Sequence, residues 1–157
     1  MIESIAEIVG DHPLFRGLPA DVAELVAGCA RNEAFAADEL LIAEGAPAEK
    51  FHLLRRGRVA LEVRKPGAGG LVVETLGPDE LLGLSWLFGS KRWHTDARAL
   101  EPVGTVAVDA ECLLRKADAD PEFGYALMKR VAPVMLSRLQ ATRLRLLDLY
   151  GNGAGNR

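Results

Sequence analysis

Histidine, the side chain that most often holds a metal ion or moves a proton near neutral pH, occurs three times in the chain. His12, His52 and His94 are far apart, and no two form the His-x-His or His-x-x-x-His pair of a local metal site. His52 falls in a segment with strand character, where we expect a structural histidine. The sequence therefore predicts no metal centre.

The chain also lacks the arrangement of an activated nucleophile. It contains no GxSxG motif, no P-loop and no GxGxxG motif after a strand. Ser85 has no obvious base near it in sequence, and Asp79-Glu80 is typical of a turn rather than of a catalytic carboxylate pair. We therefore predict that the chain is not an enzyme.

The two cysteines are isolated in sequence. Cys29 and Cys112 form neither a Cys-x-x-Cys motif nor a Cys/His metal spacing. One disulfide between them is compatible with the sequence. Because we expect a reducing cytoplasm, two buried free thiols are the interpretation that we favour.

Composition and charge indicate one globular domain. The chain has 157 residues, of which 49% are hydrophobic and 26% charged. Its 19 Lys+Arg and 22 Asp+Glu give a net charge of −3, which disfavours a general basic surface for nucleic acid. The N-terminus lacks a basic signal-peptide region, and no apolar run approaches the ~18 residues of a membrane span. We expect a cytoplasmic domain that does not bind membrane.

The chain changes character twice along its length. Residues 1–32 favour helices, because their apolar positions recur at helical spacing. Residues 33–110 favour short strands, with apolar and charged residues alternating over 58–64 and turn signals about every ten residues. Residues 119–150 favour a long helix, and the small, polar tail 151–157 is expected to fray. The pattern predicts a single α+β domain built on a β-roll.

A run of glycines and apolar residues in the strand region resembles a known family. It consists of Gly45, Ala48, Phe51, Leu54, Gly57, Val59, Leu61, Leu76-Gly77-Pro78-Asp79 and Leu82-Gly83. This run is similar to the cyclic nucleotide-binding domain family, and closely to its bacterial catabolite-activator branch. The lead-in 14–19 and the segment 138–142 extend the resemblance over nearly the whole chain. It implies a double-stranded β-helix, or jelly-roll, cup with N-terminal helices and a long C-terminal helix.

The resemblance also implies an effector, a cyclic nucleotide such as cAMP or cGMP. In this family a short helix after a glycine presents backbone N–H groups to the cyclic phosphate, and residues 83–88 fall at that place. The candidate ligand-binding residues are Gly83, Leu84, Ser85, Trp86, Arg92, Trp93, His94, Thr142 and Arg143.

Two polar anchors of the family are missing here. The glutamate expected after the glycine is Leu84, and the arginine expected to pair with the phosphate is Trp93. A charge-assisted contact contributes about 1.5–3 kcal/mol, so losing both weakens binding about a hundredfold or more. Arg92 could replace the missing arginine. Alternatively, Trp86, Trp93 and Phe88 fill the cup, which is the arrangement that we favour.

The C-terminal segment has the heptad pattern of a coiled-coil seam. Apolar residues recur at alternating spacings of three and four, at Tyr125, Met128, Ala132, Met135, Leu139, Thr142, Leu146 and Leu149. A second apolar face lies at Val131, Val134, Leu136, Leu144 and Leu147. A helix with two apolar faces favours the roll on one side and a partner helix on the other. We expect a homodimer, together with a kink or break at Pro133.

Two features of this seam are polar. By the resemblance, Thr142 would contact the nucleotide base across the dimer, although its family neighbour is a small hydroxyl residue and here is Arg143. Alternatively, Thr142 simply sets the helix register. In a parallel pair Arg138 would face Arg143 of the other chain, and we expect an anion or a nearby carboxylate to relieve the repulsion.

The sequence leaves alternative functions. Activators of this family continue beyond the dimer helix into a DNA-binding helix-turn-helix, whereas this chain starts at Met1 and its helix ends near residue 150. We therefore expect a free-standing regulatory sensor that signals through the dimer helix and does not bind DNA directly. The alternative is a protein-interaction module that keeps the fold and binds no nucleotide. A cupin-like metal enzyme is disfavoured by the scattered histidines.

Overall fold

The computed structural model describes residues 2–67, 69–88 and 91–154, and it begins with two short helices. Helix α1 spans Ile5–Asp11, and helix α2 spans Ala20–Ala27. The hydroxyl of Ser4 accepts from the Glu7 N–H, and the Glu7 carboxylate accepts from the Ser4 N–H, which satisfies donors that the helix start would otherwise leave unpaired.

Two four-stranded antiparallel sheets follow and form the body of the domain. Their orders are β1-β8-β3-β6 and β2-β7-β4-β5, so apart from the consecutive pair β4 and β5 the neighbours in space are not consecutive in sequence. The strands are β1 Ala30–Phe35, β2 Leu40–Ile42, β3 Lys50–Arg56, β4 Val59–Lys65, β5 Gly69–Leu76, β6 Leu81–Leu82, β7 Asp96–Ala99 and β8 Val103–Asp109. The prediction of an α+β jelly-roll is confirmed.

The turn from β3 to β4 requires glycine, which explains why a glycine in the sequence marked the boundary between two strands. Gly57 has a φ of 82°, a left-handed conformation that disfavours side chains. A Cβ at this position would lie 2.4 Å from the carbonyl oxygen of Pro102, so only glycine fits without backbone movement. The apolar faces of both sheets meet in the interior, where Leu53, Val59 and Val106 are fully buried.

The chain becomes helical again at Ala110, earlier than the sequence indicates. Helix α3 spans Ala110–Ala119, and Asp109 caps it by accepting a hydrogen bond from the Cys112 N–H at 2.7 Å. Helix α4 spans Pro121–Ala154. Although α4 is 34 residues long, neither it nor any other helix in the described ranges is long and apolar enough to cross a membrane.

One expectation about α4 needs correction. The helix continues through Pro133, so the predicted break does not occur, and a kink there stays a prediction. The helix extends to Ala154, residues 155–157 lie outside the described residues, and the fraying of the tail 151–157 stays a prediction. The loss of one backbone donor at a proline leaves the flanking helical hydrogen bonds to hold the axis.

The preference for free thiols is wrong, because Cys29 and Cys112 form a disulfide. Cys29 follows Gly28, the C-cap of α2, and the capped start of α3 places Cys112 beside it. A second link lies close by, where the Lys116 ammonium donates to the Leu25 carbonyl oxygen at 2.8 Å. The two cysteines are 83 residues apart in sequence, a distance over which local patterns carry no information.

Candidate functional site

The mouth of the jelly roll contains a cavity of about 300 Å³. Strands, the segment after β6 and helix α4 all contribute to its wall. The lining residues are Ile42, Leu61, Leu82, Gly83, Leu84, Ser85, Trp93, His94, Thr95, Met135 and Arg138. We call this space the cup. Five of the nine residues singled out from the sequence line it: Gly83, Leu84, Ser85, Trp93 and His94.

The segment after β6 adopts the predicted glycine-then-helix arrangement. Gly83 has a φ of 93°, and Ser85–Phe88 forms a 3₁₀ helix. Leu84 stands where the family places a glutamate, and its side chain packs partly against the core. The position therefore supplies the cup with apolar surface instead of a hydrogen-bond acceptor.

Trp86 lies in the core and not in the cup. Its ring stacks on Phe51 with centroids 5.1 Å apart and planes within 9° of parallel. Its neighbourhood includes Leu113 of α3 and Leu127 of α4. The expectation that Trp86 fills the cup is wrong, because stacking on Phe51 turns the side chain toward the helices and leaves the cup open. Trp86 instead connects the 3₁₀ helix to α3 and α4.

Trp93 forms a wall of the cup, and its backbone fixes the register of the loop. Its N–H donates to the Ala46 carbonyl at 3.0 Å, and its carbonyl accepts from the Gly45 N–H at 2.9 Å. The neighbouring Arg92 donates from Nη1 to the Gly45 carbonyl oxygen at 2.6 Å and is not among the lining residues. Since these pairings set the register, Arg92 is not placed in the wall of the cup here, and its replacement of the missing arginine stays a prediction.

A buried carboxylate holds the end of the same loop. Asp96 accepts from the Glu44 N–H at 2.7 Å and from the Arg64 guanidinium at 3.0 Å. Burial raises the pKa of Asp96, but these two donors outweigh burial and bring the pKa below its usual value. The segment 93–96, which carries Trp93 and His94, is therefore anchored at its first and last residues.

Arg138 is the charged residue among the cup-lining residues that the sequence did not indicate as candidates, a group that also contains Ile42, Leu61, Leu82, Thr95 and Met135. It lies on α4, is partly buried, and donates from Nη2 to the Leu81 carbonyl oxygen of its own chain. Burial lowers the pKa of Arg138, while Glu74 and Glu80 raise it. We expected this side chain on the flank of a helix pair, opposite Arg143. The helical spacing of the buried Phe123, Leu127 and Val131 with Arg138 could have identified the face that it shares with the roll.

Thr142 and Arg143 are not brought to the cup of this chain. The Thr142 hydroxyl donates to the Arg138 carbonyl one turn earlier at 2.9 Å, and both residues are exposed. A contact from either residue to a ligand held by a second chain stays a prediction.

Comparison with known proteins identifies the family. Residues 32–120 match the model described as "Cyclic nucleotide-binding domain", which is more than half of the chain. The chain therefore belongs to the cyclic nucleotide-binding domain family. It is also 32% identical over 83 residues to cyclic nucleotide-gated ion channel 2 of Arabidopsis thaliana. That match covers 51% of this chain and spans only 11% of the plant protein.

Solved structures share the fold at lower sequence identity. A cyclic nucleotide-binding domain from Methylobacillus flagellatus is 19% identical with a TM-score of 0.78, over 92% of this chain and 82% of that one. The catabolite activator protein of Thermus thermophilus is 24% identical with a TM-score of 0.69, over 88% and 63%. The sensor domain of the transcriptional regulator DNR from Pseudomonas aeruginosa is 16% identical with a TM-score of 0.69, over 85% and 89%. The chain thus shares its fold with these solved domains.

Proposed function

We propose that this chain is a non-enzymatic regulatory domain that binds a cyclic nucleotide in the cup and transmits binding through α4 of a homodimer. The observation that carries the proposal is that α4 itself forms part of the cup wall, through Met135 and Arg138. A ligand that contacts both the roll and this helix would favour one position of the helix over another.

The chemistry of the cup supports a small ligand with an apolar body and a charged group. Its walls are mostly apolar, and a few polar side chains converge on it from Ser85, His94, Thr95 and Arg138. Arg138 offers a permanent positive charge to a phosphate, which position 93 cannot do. Since Leu84 offers no carboxylate, we expect the sugar to be recognised differently from the usual family pattern.

The outer surface of α4 supports dimerisation. Six residues of the seam were predicted to contact a partner: Tyr125, Met128, Ala132, Met135, Leu139 and Leu146. Tyr125 is 66% exposed and Leu146 is 49% exposed, whereas Val131, on the face toward the roll, is buried. An apolar helix face that its own domain leaves uncovered fits a second copy of the same helix.

Calorimetric titration with cAMP and with cGMP tests the proposal directly. We expect a saturable heat with at least one nucleotide, and sedimentation of the same samples should show a dimer whose dissociation constant changes with that ligand. No heat at millimolar nucleotide from a folded dimer would contradict the proposal.

A second candidate is a protein-interaction module without a nucleotide. The observation in its favour is that Leu84 and Trp93 occupy the positions of both family anchors. The same titration separates the candidates, because an interaction module dimerises through α4 regardless of nucleotide. Under this candidate the exposed face of α4 is the functional surface, and the cup is inert.

A further inference from the structure

The disulfide lies in the wall of a surface cavity of about 420 Å³ that is separate from the cup. Among the described residues, the two cavities have no lining residue in common. Cys29 is only 8% exposed, whereas Cys112 is half-buried, and both residues line the cavity. A small molecule in this space can therefore approach the bond from the side of Cys112. The proposed function does not use this bond.

Hydrogen bonds hold the two ends of the disulfide together independently of the bond itself. The Asp109 N–H, three residues before Cys112, donates to the carbonyl oxygen of Cys29 at 2.8 Å, and the ladder between β1 and β8 continues from there. The Lys116 ammonium, one turn after Cys112, donates to the Leu25 carbonyl oxygen at 2.8 Å. The two sulfurs should therefore stay close when the bond is open, so that it can form again within the folded domain.

The disulfide is connected to the cup through α3. Beside Cys112 in sequence, Leu113 is fully buried and lies with Trp86 around one small internal space. Trp86 belongs to the 3₁₀ helix, which contacts α3, and the first residue of that helix, Ser85, lines the cup. A change in the position of the start of α3 would therefore reach Trp86 first and the wall of the cup next.

We propose that Cys29 and Cys112 form a reversible redox switch that fixes α3 when closed and, through Trp86, sets the affinity of the cup. With the bond open, α3 is held to α2 and β1 by hydrogen bonds alone. The segment that carries Ser85 is then less firmly placed, and a ligand must order it on binding. The effect on affinity rests on the proposed function, whereas the opening of the bond and its effect on Trp86 do not.

A dithiol opens the bond by thiol–disulfide exchange. Its thiolate attacks Sγ of Cys112, which is the more exposed sulfur, the bond between the two cysteines breaks, and the Cys29 sulfur leaves as a thiolate and takes up a proton. The second thiol of the dithiol then displaces Cys112 from the mixed disulfide. The protein gains two electrons and two protons, and the dithiol is oxidised to its own disulfide. The oxidised dithiol closes the bond by the reverse steps.

Mixtures of reduced and oxidised dithiothreitol, without nucleotide, test the switch itself. Alkylation of free thiols and mass spectrometry measure the open fraction, and circular dichroism reports whether the chain stays folded. The chain has two tryptophans, so the variant Trp93→Phe assigns the indole N–H resonance of Trp86 in the spectrum of the native chain. We expect the bond to open and close reversibly in the folded chain, and the Trp86 resonance to shift in step. Unfolding on reduction, a bond that does not open or close again, or an unmoved Trp86 resonance would overturn the proposal.

Calorimetry with cAMP and cGMP tests the link to the cup. Reduction of the native chain should weaken nucleotide binding about fivefold or more. The double variant Cys29→Ser/Cys112→Ser is the matched control, and it should bind as weakly as the reduced chain with or without dithiothreitol. Equal affinities of the oxidised and reduced native chain would overturn the link. If neither form binds a nucleotide, the proposed function fails, and the Trp86 resonance alone then decides whether the switch exists.

Discussion

The Cβ that any other residue would carry at position 83 lies 2.8 Å from Cη2 of Trp93. Gly83 also has a φ of 93°, so two independent constraints require glycine at this point. Trp93 stands where we expected the family's arginine, and its ring packs against the backbone of Gly83, which has no side chain. The tryptophan at position 93, which differs from the family pattern, therefore packs as it does only because position 83 keeps the family's glycine.

Replacing this glycine should cost more stability than backbone strain alone. Gly83→Ala should lower the free energy of unfolding by about 2–4 kcal/mol, combining left-handed strain with the clash against Trp93. Gly45→Ala is the matched control, because Gly45 has a φ of 82° and nothing within 4 Å of its Cβ position. It should cost about 1–2 kcal/mol. Equal losses in urea unfolding would show that the contact with Trp93 is unimportant.

The role of Arg138 can be separated from general surface charge. Arg138→Gln should weaken cyclic nucleotide binding tenfold or more, since about 1.5–3 kcal/mol of charge-assisted contact is lost. Arg145→Gln removes an arginine on the same helix that donates to the Val73 carbonyl and does not line the cup. Calorimetry should find its affinity unchanged. A similar loss in both variants would point to long-range charge instead.

The dimer face can be tested with two leucines of the same helix. Leu139 belongs to the predicted seam and is 47% exposed, whereas Leu144 lies outside the seam and is 64% exposed. Leu139→Glu should give monomers in sedimentation, because a charge cannot be buried between two helices without a partner. Leu144→Glu should remain dimeric. The opposite result would place the interface on another face of α4.

A buried histidine should make the domain less stable in mild acid. His52 is fully buried in β3, where Nδ1 lies 3.0 Å from the Thr105 hydroxyl. Burial lowers its pKa from 6.5 to about 4, with Glu33 opposing and Lys50 assisting. Between pH 6.5 and about 4, His52 is therefore protonated in the unfolded chain but neutral in the folded chain. The free energy of unfolding consequently falls as the pH drops over this range.

Between pH 6.5 and 4, protonation of His52 in the unfolded chain should lower the free energy of unfolding by on the order of 3 kcal/mol. The variant His52→Gln has no such proton, so its free energy of unfolding should vary less between pH 6.5 and 4. The comparison is made between the slopes of the two proteins, since the substitution also changes stability at neutral pH. Parallel slopes would show that His52 titrates normally.

The disulfide should stabilise the domain by restricting the unfolded chain. Cys29 and Cys112 are 83 residues apart, and closing a loop of that size contributes about 4 kcal/mol on the chain-entropy model. Dithiothreitol should lower the free energy of unfolding of the native chain by this order. Dithiothreitol should have no effect on the Cys29→Ala/Cys112→Ala double variant. An equal effect on the native chain and on the double variant would show that the loss of stability does not come from the disulfide.

The fold could be predicted because its determinants are local. Turn glycines such as Gly57 are required by their own backbone, and alternating side chains over β4 follow from the pleat. The short helix after Gly83 was expected from the family resemblance, which itself depends on short runs of residues. These features depend on neighbours in sequence, where patterns are informative.

The composition of the site could be predicted only in part, because it depends on packing between distant segments. Trp86 was expected in the cup, but only the stacking on Phe51 determines its direction. Arg138 was assigned to a partner helix because the heptad pattern does not say which face meets the roll. Among the described residues Nε2 of His12 has no hydrogen-bond partner, and its burial depends on segments that are distant in sequence, which no local pattern records.

Among the residues that the structure describes, Arg138 is the one side chain that lines both the cup and the cavity formed by segments 12–14, 79–81 and 130–138. Its guanidinium also donates to the Leu81 carbonyl oxygen at the start of β6. A shift of α4 that moves Arg138 therefore changes both spaces and the link to β6 at once, so the two sides of the helix are mechanically coupled through one side chain.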